Sequence, residues 1–283
     1  MSGRETLFYD RHSMAIFLIW LFENQKGKGG EMKRLEKIAF PITLIILFGA
    51  WELWARLGHI PVYRIPSPSA IFLQEGSEYL LLLEHLKVTA IEVLLGASIG
   101  ISLAILMGIL FYWIPFLKSA FYGVVRAINS IPIFAIAIIL VIVFGVGILG
   151  KIVTACICIF FPVLSHTYNG LKSTDPVKMR FMRSINASRM QRLIYLEFPS
   201  ALAEIFTSLE TALTIAIVGV MFGEAIGGNA GLGFFILNRL YRMDNAAVLL
   251  ATFIGAALGF LLVATVYLLK RKFLAWHPSM QKR

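Results

Sequence analysis

The sequence predicts an all-α, polytopic membrane protein with six transmembrane helices, and three observations carry that expectation. Of 283 residues, 58% are hydrophobic and only 15% charged, with a mean hydropathy of +0.79; a soluble domain carries about 25% charged residues. The apolar residues fall in continuous runs of spanning length rather than in alternation. That favours helices over strands, because in lipid every backbone group must be satisfied within its own span. Third, the formal net charge of +10 is concentrated in alternate connecting segments, as membrane orientation requires. These figures exclude a soluble enzyme and a disordered chain, and they explain the basic charge without nucleic acid. Cys156 and Cys158 lie two residues apart in one apolar run, so neither a disulfide framework nor a zinc site is expected.

Residues 1–31 form an N-terminal arm. Its apolar stretch 14–22 is too short to span, and no small-residue cleavage site follows, so a signal peptide is not expected. Met32-Lys33-Arg34-Leu35 reads like a natural bacterial start, and Lys28-Gly29-Gly30-Glu31 is what a purine-rich ribosome-binding site would encode. Two readings therefore stand, translation from Met32 or an interfacial arm.

The six spans are expected at 38–55, 86–111, 127–144, 152–168, 199–222 and 246–269. The third should begin earlier, near Ser119, with Arg126 at the headgroup level and Pro132 kinking it. With the N-terminus inside, twenty Lys and Arg residues are cytoplasmic and six are outside (Arg56, Arg64, Lys87, Lys151, Arg239 and Arg242). Both termini are then cytoplasmic. Trp51 and Trp54 mark the outer interface, Trp113 and Trp276 the inner one. Small residues recur every four positions at Gly96, Gly100, Ala104 and Gly108, and again at Ala251, Gly255 and Gly259. Such rows let backbones approach closely where lipid offers no hydrophobic drive. Packing within one subunit is the favoured reading, ahead of a subunit interface.

The longest polar interruption is 169–197, and segment 170–198 is read as a cytoplasmic coupling element within a transmembrane domain of residues 32–283. Asp175-Pro176 supplies an N-cap and a proline at the first helical position. A basic helix carrying Arg180 and Arg183 follows to about Ile185, and Asn186 suits the left-handed turn that ends it. Ser188 and Gln191 form a capping box for a second helix, and Pro199 is expected to open the fifth span. Two short amphipathic helices between two spans make a docking shape.

This segment resembles the coupling-helix signature of ABC-importer permeases: Glu-Ala-Ala, three residues, Gly, nine residues, Ile, any residue, Leu-Pro. The spacing from Asn186 to Leu196, Phe198 and Pro199 matches it. Ile65-Pro66-Ser67-Pro68, Ser130-Ile131-Pro132, Phe144-Gly145-Val146-Gly147, and Glu224 with Gly231-Leu232-Gly233 resemble further segments of the nitrate, sulfonate and taurine class. The resemblance implies a type I importer bundle in a bacterial inner membrane. It implies alternating access driven by two cytoplasmic ATP-binding subunits, a second copy of the chain, and an extracytoplasmic solute-binding protein. No cofactor is implied in this chain, since ATP and Mg²⁺ sit on the partner ATPase. The coupling residues implied are Asp175, Pro176, Arg180, Arg183, Asn186, Ser188 and Pro199. Two departures stand out. Arg180-Phe181-Met182 replaces Glu-Ala-Ala, which reverses a charge at the docking surface, and Asn186 replaces Gly.

Glu92 and Glu210 occupy membrane positions where the family often carries Arg. With Glu224 they are the expected translocation-path residues, because a carboxylate in a span usually faces a cavity or a partner. Glu210 lies about eleven residues past Pro199, hence roughly 17 Å up and near the midplane. A path lined by Glu210 suits a neutral or amine-bearing solute such as a pyrimidine vitamin precursor better than a sulfonate or nitrate. The alternative is a structural carboxylate bonded to Thr or Tyr.

Gly145 to Lys151 matches the first seven positions of a P-loop, but Ile152 stands where Ser or Thr is needed and membrane spans flank it. The chain is therefore not expected to bind ATP. The five histidines are scattered, and no nucleophile–base pair is apparent. The competing function is an ion-coupled secondary transporter or channel using Glu92 and Glu210, for which the segment 175–199 would have no use.

Overall fold

The computed structural model describes residues 29–59 and 61–275. The proposed arm up to Lys28, the alternative start that depends on it, and the tail with Trp276 and His277 lie outside the described residues. Within them the chain is helical, without strands. The helices are α1 (Gly29–Leu57), α2 (Pro68–Phe72), α3 (Gly76–Trp113), α4 (Pro115–Asn129), α5 (Ile133–Phe144), α6 (Ile148–Lys172), α7 (Pro176–Ser184), α8 (Arg189–Arg192), α9 (Phe198–Gly227), α10 (Leu232–Tyr241) and α11 (Asn245–Phe273). A π-turn, Leu193–Glu197, links α8 to α9.

Among the described residues, 29–59 and 67–69 form one unit by contact, and 61–66 and 70–275 the other. In the first, Glu52 of α1 accepts bonds from Ser69 N (2.9 Å) and Ser69 Oγ (2.7 Å) and pairs with Arg56 one turn on. The Ser67–Ser69 segment is thus tied to α1 by one carboxylate.

The second unit is built around α6, which packs along α3 on one side and α9 on the other. The small-residue row of α3 explains how closely. A Cβ on Gly96 or Gly100 would run into the α6 backbone at Ile152 and Cys156, and one on Gly108 into Thr167. The row packs within the subunit, as expected. Ala251 of α11 is fully buried, and Gly255 and Gly259 face Met221 and Ile217 of α9. Cys156 and Cys158 are free, the second buried.

Four described helices are long and apolar enough to cross a membrane, and the α4–α5 pair makes up to five. Helix α1, with 29 residues, covers the expected first span at about 43 Å; six spans are compatible with this set. The third span needs correction. It is not one kinked helix from Ser119 but two, set at 98° to each other. Pro132 forces its predecessor out of the α region, so α4 ends at Asn129 and a new helix starts after the proline. Helix α5 has 12 residues, about 18 Å, too short to cross the roughly 30 Å hydrocarbon core alone.

A second correction concerns Pro199. The helix is continuous from Arg189 to Gly227, 39 residues, so α8 is its first turn rather than a separate helix. A proline inside an α-helix clashes with the carbonyl four residues back. Here the turn before it widens, with Phe198 N donating to Leu193 O five residues back, and the helix continues through Pro199. The connection between α9 and α11 also holds a helix, α10, that no periodic pattern announced.

Candidate functional site

The segment between α6 and α9, expected on the cytoplasmic side, is built as its residues specify. The Asp175 carboxylate accepts from Val177 N at 2.8 Å and Pro176 occupies the first helical position, so α7 starts there. Asn186 adopts φ 56°, a conformation Asn tolerates better than most residues, and the helix ends. Ser188 Oγ accepts from Gln191 N (3.2 Å) while Gln191 Oε1 accepts from Ser188 N (2.7 Å), closing the capping box.

Arg180 and Arg183 are exposed on α7. Beside them Val177, Phe181 and Ile185 are each more than half exposed, at four-residue spacing on one face. A hollow of about 450 Å³ lies between this helix and Tyr195 and Leu196. An apolar stripe of that kind flanked by cations is a surface awaiting a partner.

The segment is anchored to the end of α3. Arg189 donates to Trp113 O at 2.8 Å and lies 5.6 Å over the indole ring. Tyr112 OH donates to Glu197 Oε1 at 3.0 Å. Glu197 sits on the π-turn, is 4% exposed, and its Oε2 has no protein partner.

At the opposite end of α9 lies a second buried polar group. Glu224, fully buried, accepts from Thr89 Oγ1 (2.6 Å) and Gly233 N (2.7 Å). Leu232 N donates to Thr89 Oγ1 (2.8 Å) and Gly231 N to His85 Nδ1 (3.0 Å). Three of the first amides of α10, which have no partner within their own helix, are thus taken by side chains of α3 and α9. Gly231 is required here, since its φ is +103° and a Cβ would strike the Glu224 carboxylate. Glu92 is 2% exposed and contacts Glu224. Lys151 is equally buried, its Nζ donating to Val146 O (2.8 Å), Gly147 O (2.8 Å) and Gly227 O (3.0 Å). The lysine of the P-loop-like run is therefore spent on backbone carbonyls of the turn. Arg239 of α10 pairs with Glu78 of α3 at 2.5 Å and Asp244 at 3.4 Å.

Of the three acidic residues singled out in the sequence, the structure joins Glu92 and Glu224 and leaves Glu210 apart. Glu210 pairs with Lys270 Nζ at 3.1 Å, and the same ammonium reaches Thr207 Oγ1 at 3.0 Å. Its partner is a basic residue in the last turn of α11, and Glu210 stands near the middle of the continuous helix from Arg189 to Gly227. The sequence reading also passed over His85 and Thr89, which with Glu92 follow four- and three-residue steps along one face of α3. That polar stripe in an apolar helix was the available signal.

A family model described as "Binding-protein-dependent transport system inner membrane component" matches residues 100–275. The chain belongs to this family. The permease is 33% identical over 247 residues to the formylaminopyrimidine transport permease protein ThiX of Halalkalibacterium halodurans, covering 87% of this chain and 97% of that one. It is 27% identical to the taurine transport system permease protein TauC of Escherichia coli, over 84% of this chain and 90% of that one. Its fold resembles an inward-facing structure of the MetNI methionine ABC transporter, with a TM-score of 0.57 at 18% identity, covering 68% of this chain and 99% of that one. It is accordingly the membrane-spanning subunit of an ATP-driven importer, a multi-pass transport protein. The ion-coupled alternative falls away.

Proposed function

We propose that two copies of the permease form the transmembrane path of an importer, with α7 of each copy seated on one of two cytoplasmic ATP-binding subunits and an extracytoplasmic solute-binding protein delivering the cargo. ATP and Mg²⁺ are held by those subunits, and both termini of this chain are cytoplasmic. The observation that carries the reading is the capped helix α7. Its ends are fixed by Asp175, Pro176, Asn186 and Ser188, its apolar stripe and its Arg180 and Arg183 are exposed, and after the short Asn186 turn the helix from Arg189 continues through Pro199 into α9. A load applied at α7 then reaches a membrane-spanning helix directly. With Arg180 where the family has glutamate, the matching surface of the ATPase carries acidic or polar groups.

The path wall we assign is the exposed stripe of α9. From its start to just past its middle it holds Glu204 (with His166 at 3.7 Å), Thr207, Glu210 and Thr214. Its outer half holds Val218, Phe222 and Ile226, each at least 44% exposed. Polar and charged side chains open to one side of a span suit a wetted cavity rather than lipid. Paired with Lys270, Glu210 adds no net charge to it, which favours a neutral or weakly amine-bearing solute. A pyrimidine vitamin precursor fits, in keeping with the formylaminopyrimidine relative, ahead of a sulfonate, taurine or nitrate. Glu92 and Glu224 act at the outer end by holding the turn that faces the binding protein.

Reconstitution with a candidate ATPase tests this. Uptake of a labelled pyrimidine should require ATP and the binding protein together. Uptake that proceeds on an ion gradient without ATPase would sink the reading.

A further inference from the structure

The ends of α3 and of the long helix that lie nearest the coupling segment leave a hollow of about 260 Å³ between them, lined by Ile105 and Ile109 of α3 and by Leu193, Ile194 and Phe198. Two polar contacts cross beside it, from Tyr112 OH to Glu197 Oε1 and from Arg189 to Trp113. Both start on consecutive residues in the last turn of α3, and both end on the first two turns of the long helix that leaves the coupling segment.

Glu197 is a costly residue in that position. It is 96% buried by its 4% exposure, it uses one oxygen on Tyr112, and its Oε2 finds no protein donor. Trp113 Nε1, a donor one residue from Tyr112, is likewise buried without a partner. Burying a polar atom unpaired costs more than a made hydrogen bond returns, and such groups call for an explanation. An apolar residue would fill the site more cheaply if holding the two helices together were the whole task. The π-turn gives the placement, because π-turns inside α-helices are found most often at functional positions, and this one carries Glu197 as its last residue.

We propose that Glu197 is a positioning residue of the energy-coupling machinery, yoking α3 to the coupling segment through Tyr112 so that displacement of α7 and α8 moves α3 together with α9. Helix α9 is driven through the chain that follows the segment directly. Helix α3 is joined to the segment in the chain only by way of α4, α5 and α6, and this yoke is its direct contact with it. The proposal rests on the docking role assigned above to α7. Tyr112→Phe and Glu197→Leu break the yoke while leaving α7 and its exposed face intact. Glu197→Gln keeps an oxygen that can accept from Tyr112.

The experiment uses the full complex in proteoliposomes, measuring solute moved per ATP hydrolysed. Tyr112→Phe and Glu197→Leu should each lower that ratio by about fivefold or more. The double variant should be no worse than either single one, and Glu197→Gln should recover most of the loss. A role in stability alone would reduce uptake and hydrolysis together and leave the ratio where it was, and that result would overturn the proposal. The two levels separate in the wild-type lane. Uptake without ATP there removes the docking role and the yoke with it, whereas ATP-coupled wild-type uptake with unchanged ratios in all variants removes the yoke alone.

Discussion

At its outer end the long helix is fixed by Glu224, whose two oxygens hold Thr89 and the α10 turn, with Lys151 and His85 closing the remaining backbone groups. At its inner end Glu197 makes one bond and leaves one oxygen unpaired. Among the described residues four buried side-chain atoms lack a partner, and three of them, on Trp113, Thr167 and Glu197, lie toward the cytoplasmic ends of their helices. Only Glu92 Oε2 belongs to the outer cluster. The two junctions use the same chemistry to different ends. One is saturated but for Glu92 Oε2 and therefore stiff, because a rearrangement would leave further buried groups bare. The other keeps groups uncommitted and can rearrange at little cost.

The largest test of that contrast is at the saturated end. Gly231→Ala places a methyl against the Glu224 carboxylate at φ +103° and should destabilise the permease by more than about 2 kcal/mol, read as thermal unfolding in detergent; an unshifted midpoint would break the comparison. At the uncommitted end Phe181→Asp should weaken capture of the ATPase about tenfold or more while the unfolding midpoint stays near that of the wild type. If stability fell as well, the α7 face would be part of the core and not a docking surface. Thr89→Val removes the hydroxyl that joins Glu224 to Leu232 N and should cost about 1–3 kcal/mol, again by thermal unfolding. Asp175→Ala should cost about 1 kcal/mol of local helix stability. Faster amide exchange over 176–184, with no change at 232–241, would sharpen the division between the ends.

The parts of the molecule legible in the sequence were those governed by local chemistry. Asp175-Pro176, Asn186 and the Ser188–Gln191 box each specify a backbone conformation within four residues, and each is found where the sequence placed it. The Gly96–Gly108 row announced a close helix contact within the subunit, because four-residue spacing puts the small residues on one face; that the partner is α6 came from the structure. What escaped was non-local. Nothing near Glu224 in the sequence names Thr89, 135 positions away, and nothing near Tyr112 names Glu197. The proline rules explain the two misplacements in opposite ways. Pro132 was read as a kink and is a break, since no wider turn precedes it. Pro199 was read as a start and is passed through, since the π-turn absorbs its ring. The sequence says that a proline disturbs a helix; whether the helix ends depends on what the preceding turn can do.

The 39-residue helix from Arg189 to Gly227 is about 58 Å long at 1.5 Å per residue, nearly twice the hydrocarbon thickness. One end follows the segment proposed to dock the ATPase, and the other is clamped to the turn before α10, which that proposal places outside the cell. A rod of that kind carries news in both directions. If closure of the ATPases alters the outer turn, then a protein that grips the outer turn must alter the ATPases by the same free energy, since coupling between two sites is reciprocal. The cell would need no separate sensor to keep hydrolysis idle until cargo arrives: the wait for a loaded carrier and the power stroke are one equilibrium, seen from the two faces of the membrane.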